Sequence, residues 1–190
     1  MKIVLLAGSN REGASSTKLA RYMEQGLIAR KVEVSFIDLR QLVLPLYSPD
    51  YVDLNDNAKR IIAEVGSADG FIFATPEYHG SISGVLKNAL DYLSGNLVEG
   101  KPVLSVSSAG GPSGVCSLLH LQSIVRNLHG INCPQWVSIG YGWGGVDEKG
   151  NPVDSDVRDR VDGAIEQLLK LTRLTADGTE AESEKDEIYV

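Results

Sequence analysis

The chain has very little cysteine, with only Cys116 and Cys133 among its 190 residues. The two are far apart, form no CxxC pair, and lack accompanying histidine ligands. This usage excludes a disulfide framework and gives no sign of a zinc site, so no metal is predicted. We expect both thiols to be inert and partly buried.

Basic residues and long apolar runs are also scarce. The net charge of -7 and the pI near 5.0 would repel a polyanion, and no lysine or arginine cluster offsets this locally, so no nucleic-acid partner is expected. No run approaches the roughly 20 apolar residues that cross a bilayer. The apolar start, residues 1–8, is too short for the core of a signal peptide. We therefore expect no membrane span and a cytoplasmic location.

The length fits one domain with a core of three layers. Short apolar runs typical of strands buried on both faces recur at 3–7, 32–37, 71–74, 103–106 and 136–139. Segments with helical spacing lie between and after them, at 16–30, 54–65, 85–93, 115–128 and 153–174. The domain is predicted to cover residues 1–175, and the acidic tail, 176–190, to be disordered or loosely docked.

Strictly alternating strands and helices predict an α/β fold with helices on both faces of a parallel sheet. For five strands the common arrangement is a flavodoxin-like three-layer sandwich, a five-stranded parallel sheet of order 2-1-3-4-5. Ligands of such sheets bind beyond the carboxyl ends of the strands. Three unusual stretches meet there: the first loop (8–17), the second loop (75–84) and the third loop (107–114).

The first loop has the composition of a phosphate-monoester site. It precedes a helix, whose free amides and dipole favour an anion. Arg11 adds a forked cationic donor. Four hydroxyls are available, those of Ser9, Ser15, Ser16 and Thr17. Neither GxxxxGK[ST] nor GxGxxG is present, so a P-loop and a dinucleotide site are not predicted. The alternative is a polar turn in which Ser15 or Ser16 is an ordinary helix cap.

The composition of the second loop predicts a rigid backbone surface against which a planar ring could lie. Pro76 fixes one backbone angle, and Gly80 and Gly84 permit tight backbone paths. Tyr78 could supply an aromatic contact. The alternative is an ordinary packed turn for Tyr78 and His79. In the helix that follows, Lys87 and Asp91 have the spacing of a surface ion pair.

The run from Pro76 to Ser94 closely resembles the PEY-x-GS-x-x-G-x-LKNA-x-D-x-L-S signature of the NADPH-dependent FMN reductase family, and residues 8–11 resemble its GS-x-R loop. The resemblance extends over about residues 1–174. It implies that Ser9, Arg11, Ser16 and Thr17 hold the FMN phosphate, and that Pro76, Glu77, Tyr78 and His79 line the flavin. Many relatives have serine at position 14, asparagine or threonine at 16 and asparagine at 79, where this chain has Ala14, Ser16 and His79.

The glycine-rich third loop would suit the flavin's N1 and O2 edge. Backbone amides there approach a ligand closely and favour the negative charge of reduced flavin. The residues assigned to this contact are Ser107, Ser108, Gly110 and Gly111. The alternative is a flexible turn without a ligand. A further glycine-rich turn, 140–145, could cover the nicotinamide or acceptor, or be a plain surface loop.

The expected function is that of an oxidoreductase that transfers hydride from NADPH or NADH through FMN to a small acceptor. The acceptor could be a quinone, an azo or nitro compound, free flavin or a metal ion. No catalytic side chain is assigned, because the cofactor supplies the chemistry. The alternatives are a flavodoxin-type electron carrier and, ranked lower, a phosphoester hydrolase. The resemblance also implies a homodimer or homotetramer with the helix at 84–93 near the subunit contact.

Overall fold

The computed structural model describes residues 1–50, 53–111, 113–140 and 146–186, with side chains up to residue 176. The strands are β1 (Lys2–Ala7), β2 (Glu33–Asp38), β3 (Gly70–Pro76), β4 (Pro102–Ser108), β5 (Ile131–Asn132) and β6 (Val137–Ile139). The helices are α1 (Ser15–Ala29), α2 (Asp56–Gly66), α3 (Gly84–Asp91), α4 (Val115–Asn127) and α5 (Ser155–Asp186), with a short 3₁₀ turn at Gly95–Leu97.

The sheet is parallel throughout and has the order β2-β1-β3-β4-β5, which confirms the predicted fold. The fifth position is shared by two short strands, since β6 also pairs with β4. Asn132 lies beside Val103 and Val137 beside Val106, so two extra residues are accommodated between β5 and β6. Pro134 falls in this interruption and has no N–H to donate to a strand ladder. The run predicted at 136–139 corresponds to β6.

Both faces of the sheet are covered, which explains the continuous apolar runs of β1 and β3. On one face α1 and α5 pack against Ile3, Leu5, Ile72 and Leu104. On the other face α2, α3 and α4 pack against Val4, Leu6, Phe71 and Phe73. The loops after β1, β3 and β4 therefore emerge at one edge of the sheet, from its three most deeply buried strands.

Helix α5 extends past position 175, where the sequence predicted the domain to end. The predicted boundary thus falls inside a helix, and the loosely docked acidic tail stays a prediction. Residues 187–190 lie outside the described part of the chain. In the part that is described, no helix has the length and apolarity to cross a membrane.

The two cysteines have different environments. Cys133 is almost completely buried rather than partly buried, and desolvation raises the pKa of its thiol to about 12, so very little thiolate forms at neutral pH. Cys116 lies in the first turn of α4 and is exposed, so the expectation that it is partly buried was wrong. An amphipathic helix leaves its outward positions in water, and position 116 is one of these.

Candidate functional site

The three predicted loops meet in one crevice of about 140 Å³ at the carboxyl ends of β1, β3 and β4. Its lining comes from all three: Arg11, Ala14, Ser15, Pro76, Glu77, Tyr78, Ser108, Ala109 and Gly110. Gly8 brings the first loop against β3, since its N–H donates to the Ala74 carbonyl at 2.7 Å. A Cβ at Gly8 would lie 2.8 Å from the Cβ of Leu86, so only glycine permits this approach.

The start of α1 has polar groups without partners. Its N-cap residue is Ala14, and no side chain caps the helix, so the reading of Ser15 or Ser16 as an ordinary cap is wrong. Within the described residues, the hydroxyls of Ser16 and Thr17 are buried and have no hydrogen-bond partner. Buried polar groups are nearly always satisfied, and an unpaired one costs about 1–3 kcal/mol. This end of the helix is therefore suited to a ligand with several acceptor atoms.

Arg11 and Ser9 complete the first loop. Ser9 is buried, and its hydroxyl accepts a hydrogen bond from the Arg11 N–H at 3.2 Å. Arg11 is exposed and lines the crevice, and none of the described carboxylates forms an ion pair with it. The neighbouring Glu12 pairs instead with Arg40, at 3.1 Å. Unpaired hydroxyls, a free guanidinium and an uncapped helix start together fit the phosphate of FMN.

The second loop forms a tight hairpin from Tyr78 to Ser81. The two residues exchange backbone hydrogen bonds of 3.0 and 3.1 Å. His79 and Gly80 between them have φ values of 51° and 73°, the pattern of a type I′ turn. Asparagine and histidine tolerate this left-handed conformation better than most residues, which explains why either fits position 79. Tyr78, at the edge of the turn, is partly exposed and lines the crevice.

Ser83 joins the first and second loops to α3, a role not predicted from the sequence. Its hydroxyl donates a short hydrogen bond to the Gly8 carbonyl and accepts one from the Leu86 N–H at 3.1 Å. Its own N–H donates to the Thr75 hydroxyl at 3.0 Å. Serine directly before a helix is a cap signal that could have indicated part of this role. The bond to Gly8 spans 75 residues and depends on the fold.

Glu77 connects the start of the third loop to the first turn of α4, the helix that follows this loop. Its N–H donates to the Ser108 carbonyl at 2.7 Å, and its carboxylate accepts from the Ser117 N–H, in the first turn of α4, at 2.8 Å. The N-cap residue of α4 is Gly114, which has no side chain to cap the helix. A carboxylate at a helix N-terminus is electrostatically favourable. The Glu77 side chain therefore caps α4, and its predicted contact with flavin remains a prediction.

The third loop is closed by a cluster of serines. The fully buried Ser107 hydroxyl is 2.7 Å from that of Ser117, which donates to the Gly114 carbonyl at 2.9 Å. The Ser107 side chain therefore stabilises the loop from inside. Gly110 and Gly111 are exposed, and no described heavy atom lies within 4 Å of a Cβ built at either. Position 112 and the predicted turn residues 141–145 lie outside the described residues.

Lys87 and Asp91 form the predicted surface pair on α3, with the Lys87 Nζ 2.6 Å from the Asp91 carboxylate. Asn88, between them, has a role that the sequence did not indicate. Its side chain accepts from the Tyr47 N–H and donates to the Pro45 carbonyl, both at 2.8 Å. It thereby fixes the segment after β2 to the surface of α3.

The sheet order and the crevice at its switch point define a flavodoxin-like α/β protein. Solved structures share this fold. The flavoenzyme NAD(P)H:(acceptor) oxidoreductase FerB from Paracoccus denitrificans superposes with a TM-score of 0.76 at 20% identity, covering 92% of this chain and 98% of that one. A flavodoxin from the domain Archaea has a TM-score of 0.63 at 16% identity, covering 90% and 99%.

The chain belongs to the NADPH-dependent FMN reductase family, whose model matches residues 1–144. It is 34% identical over 143 residues to the FMN-dependent NADPH-azoreductase of Staphylococcus aureus strain USA300, covering 73% of this chain and 76% of that protein. Membership confirms the family predicted from the signature at 76–94. It also confirms the enzyme class, an oxidoreductase with FMN and NADPH as its cofactors.

Proposed function

We propose that FMN binds in the crevice formed by the three loops. Its phosphate would be held at the start of α1 by Ser9, Arg11, Ser15, Ser16 and Thr17. The flavin ring would lie against Pro76, Glu77, Tyr78 and His79. Its polar edge would lie on Ser108, Gly110 and Gly111, while the buried Ser107 would support this loop from inside. The observation that carries this proposal is the pair of buried, unpaired hydroxyls, on Ser16 and Thr17, beside a helix start without a cap.

When bound, FMN would supply the redox chemistry, that is, hydride acceptance from NADPH or NADH and electron transfer to a small acceptor. The acceptor would be a quinone, an azo or nitro compound, free flavin or a metal ion. The protein binds and orients the reactants, which alone contributes much of the rate in such reactions. The exposed amides of the third loop would favour the negative charge that the ring gains on reduction. The proton that reduction of a quinone or an azo compound also consumes would come from water, so no side chain is assigned as a proton donor.

The family match favours an enzyme over a flavodoxin-type carrier, although the fold serves both. An enzyme needs space for a small reactant beside the ring. The partly exposed Tyr78, at the mouth of the crevice, provides a surface on which such a reactant could stack. We further propose that the chain forms a homodimer or homotetramer through α3 and the segment fixed to it. The cytoplasmic location stays a prediction from the sequence.

Reconstitution tests the proposal. Apoprotein titrated with FMN should quench flavin fluorescence and yield a yellow protein, which NADPH should bleach anaerobically without any partner protein. A panel of the acceptors named above should then restore the colour. Absence of FMN binding would refute the proposal. Binding without bleaching by NADPH or NADH would favour the carrier.

Arg11→Ala tests the phosphate assignment. Hydrogen bonds to charged groups contribute about 1.5–3 kcal/mol, so the Kd for FMN should rise about 10- to 100-fold. Riboflavin, which lacks the phosphate, should bind the variant and the wild type alike. Arg173→Ala, which removes the same charge from an exposed position on α5, is the matched control. An unchanged Kd for FMN in Arg11→Ala would show that the phosphate binds elsewhere.

A further inference from the structure

The conformation of the third loop depends on hydrogen bonds at its two ends. At its start, the Ser108 carbonyl accepts from the Glu77 N–H, and the Ala109 N–H donates to the Ile139 carbonyl at 2.9 Å. At its end, the Gly114 N–H donates to the Ser138 hydroxyl at 2.9 Å. The residues between these anchors include Gly110, which lines the crevice, and Gly111. The described hydrogen bonds that hold Gly110 and Gly111 in place are thus those at the two ends of the loop.

Glu77, in the second loop, bonds directly to the start of the third loop and reaches its end through Ser117. Its backbone holds Ser108, while its carboxylate holds the Ser117 N–H at the start of α4. Ser117 in turn bonds through its hydroxyl to Ser107 and to the Gly114 carbonyl. A displacement of the Glu77 carboxylate would thus be transmitted to the residues on either side of the loop.

No acidic residue at the start of α4 could take over the capping role of this carboxylate. The helix begins at Val115 after a glycine N-cap, and its first turn contains no acidic residue. One of its free N–H groups, that of Ser117, therefore bonds to a partner 40 residues away in the chain. Loss of an N-cap acceptor typically costs a helix about 0.5–2 kcal/mol and frays its first turn.

We propose that Glu77 is a positioning residue for the flavin's polar edge, acting through the cap on α4 and the third loop. This inference rests on the proposed binding of FMN in the crevice. The carboxylate holds the first turn of α4, and this turn would in turn hold the third loop against the ring of bound FMN. A shift of the loop changes the stabilisation of reduced flavin more than that of oxidised flavin, because the amides interact with the charge that develops on reduction.

The test compares Glu77→Gln with Glu77→Ala. Both variants are neutral at position 77, but glutamine keeps an oxygen that can accept from the Ser117 N–H. Any difference in FMN affinity between the two variants therefore reports the effect of the hydrogen bond and not that of the charge. In FMN titrations of the apoproteins we expect Glu77→Ala to raise the Kd about tenfold, in line with the loss of one cap. Glu77→Gln should remain within about threefold of the wild type.

Two further measurements distinguish loop positioning from a general loss of structure. Riboflavin should lose affinity by the same factor as FMN in Glu77→Ala, because the third loop contacts the ring, whereas Arg11→Ala should weaken FMN alone. The midpoint potential of bound flavin should be more negative in Glu77→Ala than in Glu77→Gln. A merely structural role would leave the two potentials equal.

The outcomes separate this inference from the proposed function. If the wild-type protein fails to bind FMN, the proposed function fails. If the wild type binds FMN, and Glu77→Ala folds with the same Kd and the same potential as Glu77→Gln, only the positioning role is refuted. Should Glu77→Ala fail to fold, the same measurements on Glu77→Asp test the positioning role. This variant keeps the charge but shortens the side chain by one carbon. An FMN affinity and potential equal to those of wild type in Glu77→Asp would also overturn the inference.

Discussion

At the scale of single residues, the hydroxyls at the start of α1 link binding to stability. Ser16 and Thr17 each place a hydroxyl away from water without a described partner. Such groups reduce the stability of the ligand-free protein, and a bound phosphate would satisfy them. The residues that suit the ligand are therefore unfavourable in its absence, as is common at functional sites.

Thr17→Val tests this relation, because valine has nearly the same shape without the hydroxyl. We expect the apoprotein to be as stable as the wild type or more stable by about 1 kcal/mol, while the Kd for FMN rises about five- to tenfold. Urea unfolding of the apoprotein and FMN titration measure the two quantities. Thr172→Val is the matched control, since that buried hydroxyl already donates to the Leu168 carbonyl at 2.9 Å. It should leave FMN affinity unchanged. A destabilised Thr17→Val apoprotein would contradict the assignment.

At the scale of secondary-structure elements, the sequence was most informative where strands are buried on both faces. The runs at 3–7, 71–74 and 103–106 lie within β1, β3 and β4, because continuous burial requires continuous apolar residues. The fifth position was predicted only in part. The two-residue strand β5 is too short to show a pattern, and Pro134 separates it from β6.

The candidate site was predicted at the level of its loops but not of its hydrogen bonds. Composition alone indicated that the first loop could hold a phosphate. It could not show that the Ser107 hydroxyl bonds to Ser117 inside the protein or that Glu77 caps α4, because their partners are 10 and 40 residues away. Such contacts depend on how far apart the packed helices and strands lie in the folded protein. Short sequence patterns carry no information on these distances.

The ion pair between β1 and α2 gives a prediction of pH dependence. The Lys2 Nζ lies 2.8 Å from the Glu64 carboxylate, and this hydrogen bond lowers the pKa of Glu64 below its ordinary value of 4.5. A carboxyl group whose pKa is lower in the folded state contributes stability above its unfolded pKa and loses it as the pH falls through the folded value. The contribution should therefore be complete at neutral pH and disappear in acid.

Glu64→Gln should reduce the free energy of unfolding by about 0.5–1 kcal/mol at neutral pH, a modest value because both side chains are partly exposed. The difference from the wild type should shrink as the pH falls below 4.5. Urea unfolding of both proteins across this range measures it. Glu99→Gln, at an exposed position before β4, is the control and should show no comparable difference. A Glu64→Gln effect that grows in acid would refute the assignment.

At the scale of the whole molecule, the segment after β2 presents apolar side chains to solvent. Leu46 is 81% exposed, Val43 66% and Tyr47 43%. The segment is nevertheless held in place, since Asn88 and Tyr92 both bond to the Pro45 carbonyl and the Tyr47 and Tyr92 rings pack edge to face with centroids 5.2 Å apart. Isolated exposed apolar residues are ordinary, but an ordered apolar patch on one surface is typical of an interface.

We expect this patch to meet a second copy of the chain, so the mass in solution should be a multiple of 20.5 kDa. A charge at the centre of an apolar interface must be desolvated without a partner, so Leu46→Asp should shift the protein to the monomer mass in sedimentation equilibrium. Leu174→Asp, at a position on α5 that is 59% exposed, is the matched control and should leave the mass unchanged. A monomeric wild type would exclude the interface. A Leu46→Asp variant that keeps the oligomer mass would place the interface on another surface.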